Sequence, residues 1–222
     1  MDTSPRPHVV WDWNGTLLAD QQLVVDALNH VLDHSGIERM DIDTYRRWYT
    51  RPVQRFYERV FGRPIDADEW VQLDALYHEG YREALATVEL AADAHDALHT
   101  VEAVGATQSL LSMYPHEHLV PLVDRFGLTE RFAVVDGLRG DGGGQKAPEM
   151  SAHLEQLIDL TGGPLDRVIV VGDALDDAAA AAHVGARCVL YDGGSHPREE
   201  LEATGLPVAS TLTEALEQAG LR

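Results

Sequence analysis

Strand-length apolar runs alternate with segments of helical period along most of this chain, and that alternation leaves few folds open. The runs are HVVW (8–11), TQSLLS (107–112), RFAVV (131–135), RVIVV (167–171) and ARCVL (186–190), each bounded by polar or glycine punctuation. Between them, Met150, Leu154, Leu157 and Ile158 share one helical face, and Ala94, Ala97, Leu98, Val101 and Val104 share another. Strands alternating with helices predict an α/β fold, a Rossmann-like doubly wound parallel sheet covered on both faces.

One long stretch breaks the rhythm. Residues 19–92 contain no convincing strand but three amphipathic patterns. Leu23, Val24, Ala27, Leu28, Val31 and Leu32 form the first, closed by Ser35-Gly36. Pro52 suits the first position of a second, with Val53, Phe56, Tyr57 and Val60 on its apolar face. Trp70, Leu73, Leu76, Tyr77 and Leu85 mark a third. The expected organisation is therefore a core of residues 1–18 and 93–222, interrupted after its first strand by a helical insert at 19–92. GDGGGQ (140–145) reads as a flexible loop.

Charge narrows the function. Thirty-seven acidic residues against seventeen basic ones give a formal net charge of −20. Such a field repels a phosphate backbone, so neither nucleic acid nor an anionic membrane is an expected partner. The lone Cys188 lies in an apolar run and reads as a buried core thiol. The first ten residues lack the basic-then-apolar pattern of a signal peptide, and no apolar run approaches membrane-spanning length. The expectation is a cytoplasmic protein, monomeric or homodimeric. Sixteen arginines accompany a single lysine, Lys146. A coding bias towards arginine explains the depletion and marks position 146 as one where arginine is a poor substitute.

Ligands of open parallel sheets bind beyond the carboxyl ends of the strands, so polar residues closing the apolar runs are the candidates for chemistry. Asp12 closes the first run and Ser112 the second. Asp173 follows RVIVVG, with Asp176 and Asp177 one turn on, and Lys146 follows the glycine-rich loop. Taken singly, Ser112 is a strand-end hydroxyl, Lys146 a solvated lysine, and Asp176 and Asp177 helix N-terminal charges.

Together these residues form a pattern. DWNGT (12–16), SLLS (109–112), QKAPE (145–149) and GDALDD (172–177) occur in the order found in the haloacid dehalogenase superfamily. The chain resembles a helical-capped hydrolase of that superfamily, of the phosphoglycolate-phosphatase-like kind. The resemblance covers the core end to end, and the cap in position and helical character alone. It implies a Mg²⁺-dependent phosphatase acting on a small phosphorylated substrate through an aspartyl-phosphate. Asp12 would be the nucleophile, ionised without help at an ordinary carboxylate pKa of about 3.9. Asp12, Asp173, the backbone carbonyl of Asn14 and, directly or through water, Asp177 would hold Mg²⁺, a hard cation suited to oxygen ligands. Lys146 would neutralise charge between nucleophile and phosphate. Ser112, Thr16 and the backbone N–H groups after Asp12, Gly15 among them, would hold phosphoryl oxygens.

Position 14 departs from that pattern. The superfamily's phosphatases usually carry aspartate there, which protonates the leaving group and then activates water. Asn14 does neither, and losing general acid–base catalysis typically costs ~10²–10⁴ in rate. Four explanations stay open: a slow phosphatase; a substitute histidine, with His116 and His118 the nearest in sequence; a degenerate relative that binds a phosphorylated ligand without efficient turnover; and deamidation of Asn14-Gly15. Two other branches fit less well. Schiff-base hydrolysis of phosphonoacetaldehyde needs a cap lysine, which 19–92 lacks. Dehalogenation needs no Mg²⁺ and leaves GDALDD without a role. In the insert, Arg51 precedes Pro52 in a non-helical connection, near Tyr49. Arg51 is the expected contact for an anionic leaving group, whereas Arg55 and Arg59 read as solvated helix surface.

Overall fold

The computed structural model describes residues 6–50, 52–139, 145–161 and 167–222, and the side chains of all these except 159–161. The chain divides into two compact units, one of Met1–Leu18 with Leu90–Arg222 and one of Ala19–Glu89.

In the first unit six strands form one parallel sheet: β1 (His8–Trp11), β2 (Thr107–Pro115), β3 (Val135–Leu138), β4 (Val168–Gly172), β5 (Arg187–Tyr191) and β6 (Val208–Ala209). Their spatial order is β3-β2-β1-β4-β5-β6. The central strand β1 is buried along its whole length, as a parallel strand covered on both faces must be. On one face Val10, Leu111, Val168, Val170 and Leu190 pack against Met150, Leu154 and Leu157 of α7 (Lys146–Thr161) and Ala180 and Ala181 of α8 (Leu175–Val184). Cys188 belongs to this core, and burial pushes its thiol pKa up, away from reactive thiolate. The intervening residues Val9, Trp11, Ile169 and Val171 are equally buried. α5 (Ala94–Ala103) packs on β2, and α10 (Leu212–Gln218) on β5 and α5. Each buried aliphatic side chain contributes about 1.5–3 kcal/mol, so the two faces supply the framework that fixes the strand ends.

One expected strand is displaced. RFAVV (131–135) contributes only its last residue to β3, which runs Val135–Leu138. Thr129–Arg131 instead form a 3₁₀ turn, and Ala133 and Val134 pair with β2 only through isolated backbone bonds from Ala133 N to Gln108 O and from Leu110 N to Val134 O. The apolar run therefore begins in a turn, and the paired segment extends into Asp136-Gly137. β2 is also longer than its apolar stretch, running on to Pro115 with a register shift after Leu111. The helix α6 (His116–Arg125) follows directly.

The second unit is helical: α1 (Gln21–His34), α2 (Ile42–Trp48), α3 (Val53–Phe61) and α4 (Ala67–Ala84). Pro52 is the N-cap of α3 rather than its first residue. Val25, Leu28 and Leu32 of α1 pack with Tyr45, Phe56, Tyr57 and Leu73. The aromatic rings meet edge to face, with Tyr57 and Trp70 centroids 5.5 Å apart. Two polar clamps fix α1, one from within the helix and one at its N-terminus. The Asn29 side chain accepts from Met40 N at 2.7 Å and donates to Met40 O at 2.9 Å, and Tyr81 Oη donates to Asp20 Oδ2 at 2.7 Å. The first unit also contains a short helix, α9 (Arg198–Glu202).

Candidate active site

The sheet order places the crevice between β1 and β4, because the connection from β1 runs to β2 on one side while that from β4 runs to β5 on the other. Asp12 follows β1, and its backbone N–H donates to Val171 O at 2.9 Å, so β1 stays paired to β4 until its carboxylate emerges. The chain then turns sharply. Thr16 N and Leu18 N donate to Trp13 O at 3.2 and 2.8 Å, and Gly15 takes φ +74°, a left-handed conformation that favours glycine. This turn folds Thr16 back onto Asp12. The Thr16 hydroxyl lies 3.2 Å from Asp173 Oδ1 and 3.4 Å from Asp12 Oδ2.

Three carboxylates converge here. Asp12, Asp173 and Asp177 are buried, and each offers an oxygen within 4.8 Å of the others. Asp173 follows β4. Asp177 sits in the first turn of α8, where its Oδ2 accepts from Ala174 N at 3.0 Å. Lys146, the first residue of α7, is 4 % exposed. Its ammonium donates to Asp12 Oδ1 and, at 2.5 Å, to Asp177 Oδ1. Ser112 stands within the register shift of β2 between Leu111 and Pro115, the kind of irregularity that re-aims a side chain. Its hydroxyl accepts from Tyr114 N at 3.0 Å and donates to Asn14 Oδ1 at 3.4 Å.

The electrostatics follow from burial. Lys146 keeps its proton: burial works against the ammonium, but Asp12 and Asp177 outweigh it and hold its pKa above the usual lysine range. Asp12 is pushed well above the ordinary carboxylate range by burial, with Lys146 opposing and Asp177 and Asp173 adding to the rise. Asp173 is raised by burial and by Asp177, although Ser195 opposes through its N–H and hydroxyl. Fully ionised, three carboxylates facing one ammonium would carry a surplus of two negative charges, which a divalent cation with hard oxygen ligands would balance. The donor set fits Mg²⁺.

The loop after β5 also serves this cluster. Ser195 N and Oγ both donate to Asp173 Oδ2, at 2.6 and 2.7 Å, and Ser195 Oγ lies 3.1 Å from His196 Nδ1. A Cβ on Gly194 would stand 2.0 Å from Asp173 Oδ2, and one on Gly172 would stand 2.2 Å from Asp177 Cγ. Both glycines are demanded by close approach of a carboxylate. The signal for this loop in the sequence is the glycine pair of GGSH (193–196), which closely follows β5.

Asp12, Asn14, Gly15, Thr16, Ser112, Lys146, Asp173 and Asp177 thus lie within the first unit around one strand-end cluster. The histidines nearest Ser112 in sequence point elsewhere: His116 Nδ1 accepts from Gly137 N at 3.2 Å, and His118 lies beside Glu117 and Tyr114. Arg51, and residues 140–144 of the glycine-rich loop, lie outside the described residues.

The profile of the haloacid dehalogenase-like hydrolases matches residues 7–185, and the chain belongs to that family. It is 27 % identical over 201 residues to a phosphoglycolate phosphatase of Mesorhizobium japonicum, covering 89 % of this chain and 87 % of that one. A second relative, phosphoglycolate phosphatase 1 of Pseudomonas aeruginosa, is 26 % identical over 214 residues, 94 % of this chain and 78 % of that one. Among solved structures, a haloacid dehalogenase-like hydrolase from Streptococcus pneumoniae superposes with a TM-score of 0.76 at 16 % identity, covering 96 % of this chain and 97 % of that one. CbbY from Rhodobacter sphaeroides, in complex with phosphate, gives 0.70 at 21 %, covering 97 % and 99 %. At those identities the superpositions establish the fold alone. No helix among the described residues is long and apolar enough to cross a membrane.

Proposed function

We propose that this protein hydrolyses the phosphate monoester of a small phosphorylated metabolite, with Asp12 as nucleophile. The observation that carries the reading is Lys146: the chain's single lysine is buried and donates at once to Asp12 and Asp177. A lone surface cation does not fold into a carboxylate cluster unless the cluster needs a compact, permanent positive charge. The names of the curated relatives make 2-phosphoglycolate the first substrate to test.

In the first step an Asp12 oxygen attacks phosphorus and the bond from phosphorus to the leaving oxygen breaks, giving an aspartyl-phosphate. Lys146 offsets the repulsion between carboxylate and phosphate, and the Ser112 hydroxyl, Thr16 and the N–H groups after Asp12 hold phosphoryl oxygens. In the second step water attacks phosphorus, releasing inorganic phosphate and restoring the carboxylate. The leaving alkoxide takes a proton and the attacking water loses one, and the Asn14 amide exchanges neither. Both transfers fall to solvent, which makes the chemistry slow. Asp12, Asp173, the backbone carbonyl of Asn14 and, directly or through water, Asp177 would hold Mg²⁺. When bound, the ion supplies charge neutralisation that keeps Asp12 ionised and stabilises negative charge on the phosphoryl group. Arg51 is the residue we propose for recognition of an anionic leaving group, to be tested by Arg51→Ala with an anionic and a neutral aryl phosphate.

Asn14 also favours a second reading, a protein that binds a phosphorylated ligand with little turnover. Phosphate release from 2-phosphoglycolate and from an aryl phosphate, with Mg²⁺ and with EDTA, separates the two. Mg²⁺-dependent release by wild type supports the phosphatase. Binding without release, accompanied by release from Asn14→Asp, supports the binder.

A further inference from the structure

The core holds a buried polar relay that the proposed chemistry does not use. Thr107 Oγ1 lies 2.7 Å from His8 Nδ1, His8 Nε2 lies 2.8 Å from Ser109 Oγ, and Ser109 Oγ lies 2.7 Å from His153 Nε2. His153 Nδ1 then donates to Asp136 Oδ2 at 2.8 Å. Asp136 also accepts from Gln156 Nε2 at 2.7 Å and from Arg139 Nη1 at 2.9 Å. Serine, histidine and aspartate stand in the order and spacing of a hydrolytic triad. Yet Ser109 is 0 % exposed, His153 1 % and Asp136 4 %, so no substrate reaches the hydroxyl.

The hydrogens can be placed without conflict. A carboxylate only accepts, so His153 Nδ1 carries the proton of the bond to Asp136. With one proton on each ring, the links run head to tail. Thr107 donates to His8 Nδ1, His8 Nε2–H to Ser109, and the Ser109 hydroxyl to His153 Nε2. Every buried donor and acceptor in the run finds a partner, so the relay rigidifies what it joins.

What it joins is the site's scaffold. His8 opens β1, the strand that leads into Asp12, and Ser109 and Asp136 lie on β2 and β3. His153 lies on α7 seven residues after Lys146, two helical turns and about 10 Å along the same face. The other buried contacts of that face, Met150, Leu154 and Leu157, are apolar and non-directional, and they leave the helix free to slide or rotate slightly. The hydrogen bonds of His153 and Gln156 are directional.

We propose that the Ser109–His153–Asp136 relay is a positioning device that sets the register of α7 and thereby places Lys146 between Asp12 and Asp177. The helix is pinned to β1 twice, through Ser109 to His8 and through Lys146 to Asp12. The inference rests on the role given to Lys146 above.

Because the chain has one lysine, protein labelled with ¹³C-lysine gives a side-chain Cε signal that belongs to Lys146 alone. Ser109→Ala and His153→Asn should each shift or broaden that signal. They should also speed acylation of Lys146, read by mass spectrometry, by about tenfold, the factor that loss of one buried hydrogen bond carries. Leu98→Ala, a core truncation on α5 outside this network, is the matched control: it should lower Tm at least as far and leave the Lys146 signal and acylation rate at wild-type values. Should His153→Asn not fold, Ser109→Ala and Gln156→Ala carry the test. Folded variants with an unchanged Lys146 signal and acylation rate would overturn the proposal. Turnover of an aryl phosphate, measured alongside, separates the two readings. In an active protein, kcat should fall with KM unchanged. Responsive Lys146 in an inactive wild type supports the positioning role and sinks the phosphatase reading. Active wild type with unresponsive Lys146 does the reverse.

Discussion

Ser112 Oγ donates to Asn14 Oδ1 across 3.4 Å, joining the side chain that ends the apolar run of β2 to the one that replaces the usual acid–base group. The amide oxygen accepts as a carboxylate oxygen would, but it carries no exchangeable proton at neutral pH. Asn14→Asp keeps the acceptor and adds a titrating group. Turnover of an aryl phosphate should rise by ~10² or more, the usual worth of general acid–base catalysis. A steady-state assay, with intact mass confirming that wild type has not deamidated, checks this.

Lys146 tests the need for a compact cation. Lys146→Arg keeps the charge but puts a larger planar fork at a residue only 4 % exposed. Loss of the ammonium's geometry should lower turnover by ~10²–10³, as loss of a transition-state donor does. Overpacking should also cost about 1–3 kcal/mol of stability, readable by urea denaturation. Lys146→Met should lose activity equally while leaving the carboxylate cluster without its ammonium.

Gly194 tests the clip on Asp173. Its Cβ position lies 2.0 Å from Asp173 Oδ2, so Gly194→Ala must displace the carboxylate or the loop. Wild type should gain thermal stability with Mg²⁺, about 2.7 kcal/mol at a hundred times Kd. Gly194→Ala should lose most of that gain, as should Asp173→Asn. Differential scanning fluorimetry across a Mg²⁺ titration reads it.

Much of this cluster is legible in the sequence because its residues sit at strand ends, where an apolar run gives way to a polar residue. Asp12, Ser112 and Asp173 announce themselves that way. Lys146 announces itself by being the chain's single lysine. The run at 131–135 does not mark the strand, because an apolar run records burial and not pairing, and Thr129–Arg131 spend its beginning on a 3₁₀ turn. The relay was invisible for a different reason. His8, Ser109, Asp136 and His153 are scattered in sequence, and only sheet register sets them side by side. Ser195 was hidden likewise, since its partner Asp173 lies on the neighbouring strand's loop.

His8 supplies a pH prediction. Burial, with His153 nearby, lowers its pKa from 6.5 to about 4. The folded value lies below the unfolded one, so the unfolded chain takes up a proton first. Its contribution to stability is complete above pH 6.5 and is lost as pH falls towards 4. Between about pH 7.5 and about pH 5 this amounts to roughly 2 kcal/mol. His8→Gln, which cannot titrate, should show a flatter loss over that interval in urea denaturation. Parallel wild-type and variant curves would show that His8 is not the titrating group.

The central claim is that Asp12 takes the phosphoryl group, and rapid-quench intact-mass spectrometry tests it most directly. Wild type mixed with an aryl phosphate and Mg²⁺, quenched in acid at early times, should carry one added phosphoryl group. Peptide mapping should place it on Asp12, and hydroxylamine should remove it as it does an acyl-phosphate. Asp12→Asn should remain unmodified and inactive. Steady phosphate release from Asp12→Asn, or a phosphoryl group on any other residue, would contradict the account.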